Sequence, residues 1–390
     1  MIDLSLAFDC IETSKILPEK LKHYGADQTT TRFFKEFFTG RKHQTEWNGA
    51  ISETQNLSNH SCVQGSCLGA PIYNLYTKDL QKVCKSTIIN FADDTNIIVT
   101  SKNPNNLIEK ANEELKSISD YMSANYLLIN TKKTQALLFK PKTTPKNDHN
   151  TNLTLNGTKI DIVQNAKYLG ITIDNKLKFK DQYKSLLKKL KNATRSLIST
   201  RKFLNTRTKL SIYNALFKSN LEYGSITYQD KLNNDQLNKL TKLQKICLRL
   251  IYNARPNSHT INLYKKSKII PVNETFNTES IKFVFKNTNE LYKSKQPKVI
   301  NELINKKPKN SKQTRLSQNT NMIPLHTKQA GSLLYSITKQ WNNLPNDLKN
   351  AGNYKRLMMD LICYAQRKLV PCSILNCKIC QISINPQLMY

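Results

Sequence analysis

Two adjacent carboxylates, Asp93 and Asp94, lie in the segment NFADDTNIIV between two short apolar runs. The flanking residues 88–92 and 97–99 are β-prone, and Asp favours turns because its side chain can bond its own backbone. The segment therefore predicts a β-hairpin with an acidic turn. Such a turn can be purely structural, or it can form part of a metal site, and the rest of the chain must decide between these interpretations.

A site for nucleotidyl transfer needs negative charge concentrated at one point. Two divalent ions, about 3.5–4 Å apart, activate the attacking hydroxyl and stabilise the leaving pyrophosphate. Mg²⁺ takes hard oxygen ligands and keeps waters and substrate phosphates in its shell. The protein must therefore bring carboxylates together from distant parts of the chain. Asp93 and Asp94 are one contribution, and Asp3, at the expected end of a strand in MIDLSLAFD, is the other candidate.

The rest of the chain is strongly basic. Its 390 residues include 60 Lys and Arg against 28 Asp and Glu, so the net charge is +32. A charge of this size attracts polyanions, and nucleic acid is the first partner to expect. The chain is also rich in Lys, Asn and Ile, which A/T-rich codons encode. Codon composition therefore remains an alternative explanation for part of the excess.

No stretch of the sequence is apolar over the length of a membrane span, and the N-terminus lacks the features of a signal peptide. We therefore expect a cytoplasmic or nuclear protein that is not secreted and has no membrane partner. The nine cysteines are then expected to be reduced thiols. A C-terminal group includes the CxxC of CKIC without a second CxxC or a nearby His, so zinc binding stays open. This group consists of Cys363, Cys372, Cys377 and Cys380.

Residues 1–140 alternate short strands with helices, which is an α+β pattern. Helices are predicted at RFFKEFFTG, which ends at Gly40, at 71–82, and over the apolar stripe of 107–122. Two Asn-Gly pairs, at Asn48 and Asn156, predict hairpin turns. Residues 151–180 are rich in predicted strand.

From about residue 181 the pattern becomes helical. Amphipathic helices are predicted to begin at Asp181 as N-cap, over about 207–221, and near Asp235. Their polar faces carry many Lys and Arg residues. A basic helix face is usually only solvated, but several such helices behind an acidic site favour binding to a phosphate backbone. Residues 302–320 are polar, with few aliphatic side chains, and predict a linker.

The chain carries a set of motifs in a fixed order: DLSLAFDCI, QGSCLGAPIYNLYTKDL, FADD, LLINTKKTQALLF and AKYLGITIDNKLKF. This ordered set resembles the palm of a reverse transcriptase of the LINE-type (non-LTR, jockey-like) retrotransposons. SIYNALFKSNLEYG and LTKLQKICLRLI resemble the helical thumb, and QWNNLPNDLKN resembles a segment near the end of such reading frames. The resemblance covers most of residues 1–350. It implies an α+β palm, an antiparallel sheet with helices, over 1–180. An α-helical thumb over 181–290 and a C-terminal helical region over 291–390, with the polar linker, would follow.

The resemblance also implies a catalytic triad. Asp3, Asp93 and Asp94 match the family's metal-binding carboxylates, with Asp3 and Asp93 as the principal ligands of Mg²⁺ or Mn²⁺. The implied activity is RNA-directed DNA polymerase. A primer 3′-hydroxyl would attack a deoxynucleoside triphosphate in a two-metal nucleotidyl transfer. The implied partners are an RNA template, a DNA primer and deoxynucleoside triphosphates.

Further positions match the family's substrate contacts. Phe8 matches the bulky residue beneath the incoming sugar that excludes a 2′-hydroxyl, and Lys133 matches the residue near the pyrophosphate. Taken without the motif set, an ordinary core residue is the better interpretation of Phe8, and an exposed lysine is the better interpretation of Lys133. Two short segments complete the set. The turn that contacts template and nucleotide comprises Gln64, Gly65 and Ser66, and the hairpin that holds the primer end comprises Tyr168, Leu169 and Gly170.

The chain departs from the family pattern in two ways. Val63 stands where the family usually has Pro, and Cys67 and Ala70 are further mild changes. The family's fingers, and its endonuclease where present, lie upstream of the residue matched by Asp3, and here only two residues precede it. We therefore expect an N-terminally truncated member with little polymerase activity.

Two other functions stay open on the sequence. One is a non-catalytic, basic, nucleic-acid-binding remnant of such an element. The other is a different palm-fold nucleotidyltransferase, such as a cyclase. QGS and the basic thumb favour a template-directed enzyme over a cyclase, because both features serve a template and primer.

Overall fold

A computed structural model describes residues 1–57, 60–62, 65–140, 152–288 and 333–369. Contacts divide the chain into two units. The first contains residues 1–167 and 174–176, and the second contains residues 168–173 and the described residues from 177 onward. Helices and strands both occur, which agrees with the predicted α+β composition. The boundaries at residues 180 and 290, and the division into palm and thumb, stay predictions.

The first unit combines four α-helices with short strands. The helices are α1 (Ile16–His23), α2 (Gln28–Phe38), α3 (Gly69–Tyr76), which a 3₁₀ turn (Lys78–Lys82) follows, and α4 (Pro104–Ala124). The strands in its first hundred residues are β1 (Leu4–Ser5), β2 (Lys42–His43), β3 (Glu46–Trp47), β4 (Ala50–Ile51), β5 (Gln55–Asn56), β6 (Thr87–Phe91) and β7 (Asp94–Ile98). The later strands are β8 (Leu128–Ile129), β9 (Gln135–Leu137), β10 (Thr154–Leu155), β11 (Thr158–Lys159) and β12 (Asp161–Val163).

Backbone pairing links several of these strands side by side. β6 pairs with β7 and β1 with β8, both antiparallel, whereas β9 pairs with β12 in parallel. An antiparallel bridge between Ile2 and Thr95 joins the N-terminal strand to β7. The segment that begins the chain is therefore paired with strands that are about 90 and about 130 residues further along.

Both predicted Asn-Gly hairpins are confirmed. β3 pairs with β4 across Asn48-Gly49, and β10 pairs with β11 across Asn156-Gly157. Both residues of each turn have a positive φ, which is the conformation that a two-residue hairpin turn requires. The predicted apolar stripe of α4 is also confirmed, since Leu115, Ile118 and Met122 are buried in the core of this unit.

The start of α1 is stabilised by a buried carboxylate. Glu12 accepts hydrogen bonds from the backbone N–H groups of Ser14, Lys15 and Ile16 at 3.0, 2.7 and 2.6 Å. Burial raises the pKa of Glu12, but these bonds and one from the Ser14 hydroxyl outweigh burial and hold the pKa below its ordinary value. A negative charge at a helix N-terminus also interacts favourably with the helix dipole. Glu12 thereby fixes the path from β1 into α1.

A polar network joins α1, the 3₁₀ turn and α4. The Lys20 ammonium lies 2.9 Å from the Asp79 carboxylate, and the Tyr121 hydroxyl donates to the same oxygen at 2.6 Å. The ammonium also stands 4.8 Å from the ring centroid of Tyr76. Burial raises the pKa of Asp79, but the bonds from Tyr121 and Lys20 and the Lys20 charge outweigh burial, so the pKa is lowered.

The hairpin predicted around residues 165–174 consists of β13 (Asn165–Tyr168) and β14 (Ile171–Asp174), which pair with each other. The helices of the second unit follow. They are α5 (Lys180–Thr200), α6 (Thr206–Ile212), a π-helical stretch (Tyr213–Lys218), α7 (Ser219–Glu222), α8 (Ser225–Tyr228), a 3₁₀ turn (Gln229–Lys231), α9 (Asn234–Ile251), α10 (Ile261–Ser267) and α11 (Val272–Thr288). After the next described break come α12 (Leu333–Asn342), α13 (Asn346–Lys349) and α14 (Tyr354–Arg367).

The N-termini of α5 and α9 have different capping arrangements. The predicted N-cap Asp181 is wrong: the residue before α5 is Phe179, with a φ of 53°, and Asp181 lies in the first turn. An acidic residue is favourable in a first turn as well as at the cap, so its position in the sequence does not separate the two. α9 begins instead with a capping box, in which Asn233 and Gln236 each bond the other's backbone N–H.

A fully buried amide organises the second unit. The Gln244 side chain donates to the Tyr213 hydroxyl and to the Ile270 carbonyl, each at 2.9 Å. Its oxygen accepts from the Tyr264 hydroxyl at 2.7 Å and from the Val272 N–H at 3.1 Å. All four bonding positions of the amide are satisfied, so the network binds the π-helical stretch, α9, α10 and the start of α11 to one another.

The C-terminal helices pack on α11. Ile281, Val284 and Phe285 of α11 form a core with Ile337 and Trp341 of α12.

In the part of the chain that the structure covers, no helix combines the length and the apolar character needed to cross a membrane. The predicted linker at 302–320 lies outside the described residues.

We expect Asp79→Asn to lower the free energy of unfolding by about 1–2 kcal/mol at pH 7, because it removes the counter-charge of the buried Lys20 ammonium. The lower end is favoured, since the Asp79 side chain is one-third exposed. The folded-state pKa is lowered. The stabilisation is therefore present above the pKa of an unfolded aspartate, about 4, and is lost as pH falls through the folded value.

Urea unfolding at pH 7, 5 and 3.5, followed by circular dichroism, measures this difference. Glu36→Gln is the control, because the Arg32–Glu36 pair is about three-quarters exposed and 3.7 Å apart. We expect no measurable change for the control. A difference between the wild type and Asp79→Asn that stays the same down to pH 3.5 would contradict a charge-based origin.

Candidate active site

The two adjacent carboxylates lie at the tip of the β6–β7 hairpin. Phe91 pairs with Asp94, so Ala92 and Asp93 form a two-residue turn. Ala92 has a left-handed φ of 52°, and a positive φ at the first turn residue is the geometry that tight hairpins use. Both aspartates are exposed. The acidic hairpin predicted from the sequence is thus confirmed, and it presents its carboxylates to solvent.

Asp3 lies beside this hairpin. The Ile2 N–H donates to the Thr95 carbonyl at 2.7 Å, in the antiparallel bridge that joins the two residues. In an antiparallel register the residue after Ile2 stands opposite the residue before Thr95. Asp3 is therefore opposite Asp94. The strand register thus places Asp3 beside the acidic turn, although some ninety positions separate the two in the sequence.

The segment from Asn130 to Thr134 holds the backbone of Asp3. The Asn130 N–H donates to the Asp3 carbonyl at 2.8 Å, and the Asp3 N–H donates to the Thr134 hydroxyl at 3.3 Å. The same hydroxyl donates to the Asn130 carbonyl at 2.8 Å. Thr134 is buried. Sequence reasoning missed this role of Thr134, although the motif NTKKT contains both residues and could have pointed to it.

Lys133 approaches Asp3 from the same segment. Its ammonium lies 3.9 Å from the Asp3 carboxylate, and the two side chains are 71% and 39% exposed. A pair at this distance and exposure contributes little to stability. The Lys133 ammonium is therefore close to the carboxylates but does not form a tight ion pair with Asp3.

The charges at the site influence one another. Burial raises the pKa of Asp94, and the negative charges of Asp93 and Asp3 raise it further. The three carboxylates are therefore close enough for their charges to repel one another. A cation placed among them would relieve this repulsion.

Phe8 packs against a tyrosine of α3. Its ring centroid lies 4.7 Å from that of Tyr73 in α3, and Tyr73 is buried. Burial raises the pKa of Tyr73, and the charge of Asp93 adds to this effect. Phe8, Tyr73 and Asp93 are therefore neighbours. Tyr73 was not among the residues that the sequence singled out, because nothing in its local pattern distinguishes it from core.

The other predicted contacts are placed less completely. Gly65 has a φ of 79°, and the Ser66 hydroxyl accepts from the Gly69 N–H at 3.2 Å at the start of α3. Gln64 lies outside the described residues, as do three of the four C-terminal cysteines. The fourth, Cys363, is exposed. Tyr168, Leu169 and Gly170 form the end of hairpin β13–β14, and their contacts place them in the second unit.

The donor chemistry of the site fits Mg²⁺ or Mn²⁺. Across the described ranges, no three side chains of His, Cys, Asp or Glu are arranged to hold one metal ion. Mg²⁺ is commonly bound by one or two carboxylates together with substrate phosphates and waters. The hard, exposed oxygens of Asp3 and Asp93 fit that kind of site.

The sequence is similar to known polymerases. Residues 1–173 match the family model described as reverse transcriptase (RNA-dependent DNA polymerase). The probable RNA-directed DNA polymerase from transposon X-element of Drosophila melanogaster is 23% identical over 259 residues. The RNA-directed DNA polymerase from mobile element jockey of the same species is 29% identical over 217 residues. Over these matched residues the chain is similar to LINE-type reverse transcriptases.

Each match covers a larger share of this chain than of the relative's own chain. The matches include 64% and 53% of this chain, but 28% and 23% of the X-element and jockey proteins. The jockey polymerase of Drosophila funebris is 25% identical, over 65% of this chain and 28% of its own length. The chain thus spans about a quarter of the length of the curated relatives it matches.

In this reverse transcriptase domain we expect Asp3→Asn to lower the pKa of Asp94, because the substitution removes one of the two charges that raise it. The pKa should stay above its ordinary value, since burial is the larger cause. Carboxyl-carbon NMR titration of Asp94 measures the shift. Asp120→Asn, at an exposed position in α4, is the control. An unchanged Asp94 titration in Asp3→Asn would show that the two carboxylates are not neighbours.

Proposed function

We propose that this chain is the part of an RNA-directed DNA polymerase in which a primer 3′-hydroxyl attacks a deoxynucleoside triphosphate. The observation that carries the proposal is the bridge between Ile2 and Thr95, since it sets Asp3 beside the Asp93–Asp94 turn. The proposal is further supported by the family match over the same residues. The expected substrates are an RNA template, a DNA primer and deoxynucleoside triphosphates.

Asp3 and Asp93 are the proposed principal ligands of Mg²⁺ or Mn²⁺, with Asp94 beside them. When bound, the ions activate the attacking hydroxyl and stabilise the leaving pyrophosphate. The chain's own contribution is to hold Asp3 in place. Asn130 and Thr134 do so through its backbone, which leaves the carboxylate free to face the substrate.

The remaining site residues take substrate roles in the proposal. Lys133 would bind the triphosphate, because its loose contact with Asp3 is readily exchanged for a phosphate oxygen. Phe8, packed on Tyr73 near Asp93, would lie beneath the incoming sugar and exclude a 2′-hydroxyl. Gln64, Gly65 and Ser66 would contact template and nucleotide. Tyr168, Leu169 and Gly170 would hold the primer end, with residues 1–180 as palm and 181–290 as thumb.

Two long helices of the second unit offer positive charge for the nucleic acid. Lys188 and Lys191 are exposed on α5, and Lys239 and Lys242 are exposed on α9. Exposed lysines on successive turns can follow a phosphate backbone, and each neutralised phosphate releases counterions. This supports a primer–template as the partner of these helices.

Catalysis is tested by extension of a DNA primer on an RNA template with Mg²⁺ or Mn²⁺. We expect any extension to fall at least about 100-fold in Asp93→Ala, since loss of even an outer-shell partner of a metal site costs 10- to 100-fold. Lys110→Gln, on the exposed face of α4, is the matched control and should keep wild-type activity. Extension that persists in Asp93→Ala would refute the assigned metal site.

Binding is tested by the dependence of primer–template affinity on salt. We expect a steep fall in affinity as salt rises. Replacing both Lys188 and Lys191 by Gln should lower the slope of log K against log salt by about 2, or slightly less than 1 per lost phosphate contact. Lys110→Gln with Lys116→Gln, on α4, is the control pair. If binding does not depend on salt, codon composition becomes the better explanation of the +32 charge.

Nucleic-acid binding without catalysis is the second candidate function. It is favoured by the exposed lysines of α5 and α9, which can bind a phosphate backbone without any metal site. The two functions separate in the assays above. Salt-dependent binding with no primer extension supports the non-catalytic function, whereas extension that depends on Asp93 supports the polymerase.

A further inference from the structure

The tip of hairpin β13–β14 has a conformation that needs support. Leu169 and Gly170 have φ values of 45° and 79°. A left-handed conformation costs a residue such as leucine about 1–2 kcal/mol, so the turn is unfavourable for the first of these two residues. Contacts from elsewhere in the second unit must offset that cost.

Tyr223, which follows α7, contacts both turn residues. Its hydroxyl donates a hydrogen bond to the Leu169 carbonyl at 2.6 Å. A Cβ atom added at Gly170 would lie 3.3 Å from Cε1 of the Tyr223 ring. The ring therefore lies over the Cα of Gly170, while the hydroxyl binds the residue before it.

The next two residues of the hairpin also contact helices of this unit. Ile171 packs on the backbone of Gly224, where an added Cβ would stand 2.6 Å from Cδ1 of Ile171. Gly224 has a φ of 59°, so a side chain there would be strained in conformation and would require Ile171 to shift. The Thr172 N–H donates to the Gln182 side chain in α5 at 2.9 Å. Four successive hairpin residues are thus held by the helical unit.

The backbone on either side of Tyr223 is packed among buried residues. Tyr223 and Gly224 connect α7 to α8, and the Tyr223 N–H donates to the Ser219 carbonyl at 3.0 Å. Leu221, Ser225 and Tyr228 around this junction are fully buried. Tyr223 itself is 56% exposed, so its ring is available to cover the turn while its backbone is fixed by buried neighbours.

We propose that Tyr223 is a positioning residue that fixes the tip of hairpin β13–β14 to the helices of the second unit. It acts through the Leu169 carbonyl and the Cα of Gly170. Since the proposed function assigns the primer end to this hairpin, the consequence for the primer rests on that function. The anchoring itself does not. Movements of the helical unit would then carry the primer-holding turn with them.

The anchor is tested by amide hydrogen exchange of residues 165–174 in the full chain. Tyr223→Phe removes only the hydroxyl, and loss of one hydrogen bond should speed exchange by about 2- to 10-fold. Tyr223→Ala also removes the ring and should speed exchange further. Tyr126→Phe is the control, because Tyr126 is 58% exposed, close to the value for Tyr223, and lies in the first unit. Exchange that is unchanged in both Tyr223 variants would overturn the proposal.

The positioning role is tested by photocrosslinking from a 4-thiothymidine at the primer 3′ end, on an RNA template. We expect crosslinks to a peptide containing Tyr168 to Gly170, and a severalfold lower yield in Tyr223→Ala. Primer–template affinity should change little, because phosphate contacts dominate it. An undiminished yield in Tyr223→Ala would overturn the positioning role. Faster exchange without any wild-type crosslink to the hairpin supports the anchor and refutes only the primer role of the hairpin.

Discussion

Mutual repulsion among Asp3, Asp93 and Asp94 is the constraint on which the first unit depends. Three negative charges in one neighbourhood oppose each other: burial raises the pKa of Asp94, and the charges of Asp93 and Asp3 add to this effect. Backbone bonds hold the strands together against this repulsion. The N-terminal strand is bonded on one side to Thr95 and on the other to Asn130 and Thr134. The carboxylates are therefore close together because the backbone keeps them there, and a cation would convert the repulsion into binding energy.

The surroundings of this strand are stabilised by buried charge of a different kind. Glu12 uses backbone N–H groups to neutralise its carboxylate, and Asp79 uses Lys20 and Tyr121. Both of these carboxylates, which lie away from the candidate site, thus have donors of their own. The carboxylates of the candidate site have only the distant Lys133 ammonium among the contacts described. This contrast separates charges that stabilise the fold from charges that are available for chemistry.

In the second unit, hydrogen bonds to a buried amide set the orientation of short helices. Gln244 in α9 bonds four backbone or hydroxyl groups, which belong to the π-helical stretch, α10, the segment before α11 and the start of α11. Tyr223 and Gly224 connect the same unit to the turn of hairpin β13–β14. A fully satisfied buried amide favours one arrangement of its neighbours, since any other would leave a polar atom unpaired. The sequence did not predict the π-helical stretch that carries Tyr213. A π-helix differs from an α-helix in its hydrogen-bond spacing, and over so few residues the spacing of apolar side chains does not distinguish the two.

The sequence by itself determined the features that depend on near neighbours. The Asn-Gly hairpins, the acidic turn at Asp93, the stripe of α4 and the basic faces of α5 and α9 follow from conformational preference and periodicity, which act over a few residues. Motif order alone also indicated the family. Only the tertiary structure decided that Asp3 stands opposite Asp94, that Thr134 holds Asp3, that Tyr73 supports Phe8, and that Tyr223 covers the turn at Leu169. Each of these depends on strand register or side-chain contacts between residues about 50 to 130 positions apart. A short pattern carries no information about such pairs, because they become neighbours only when the whole unit has folded.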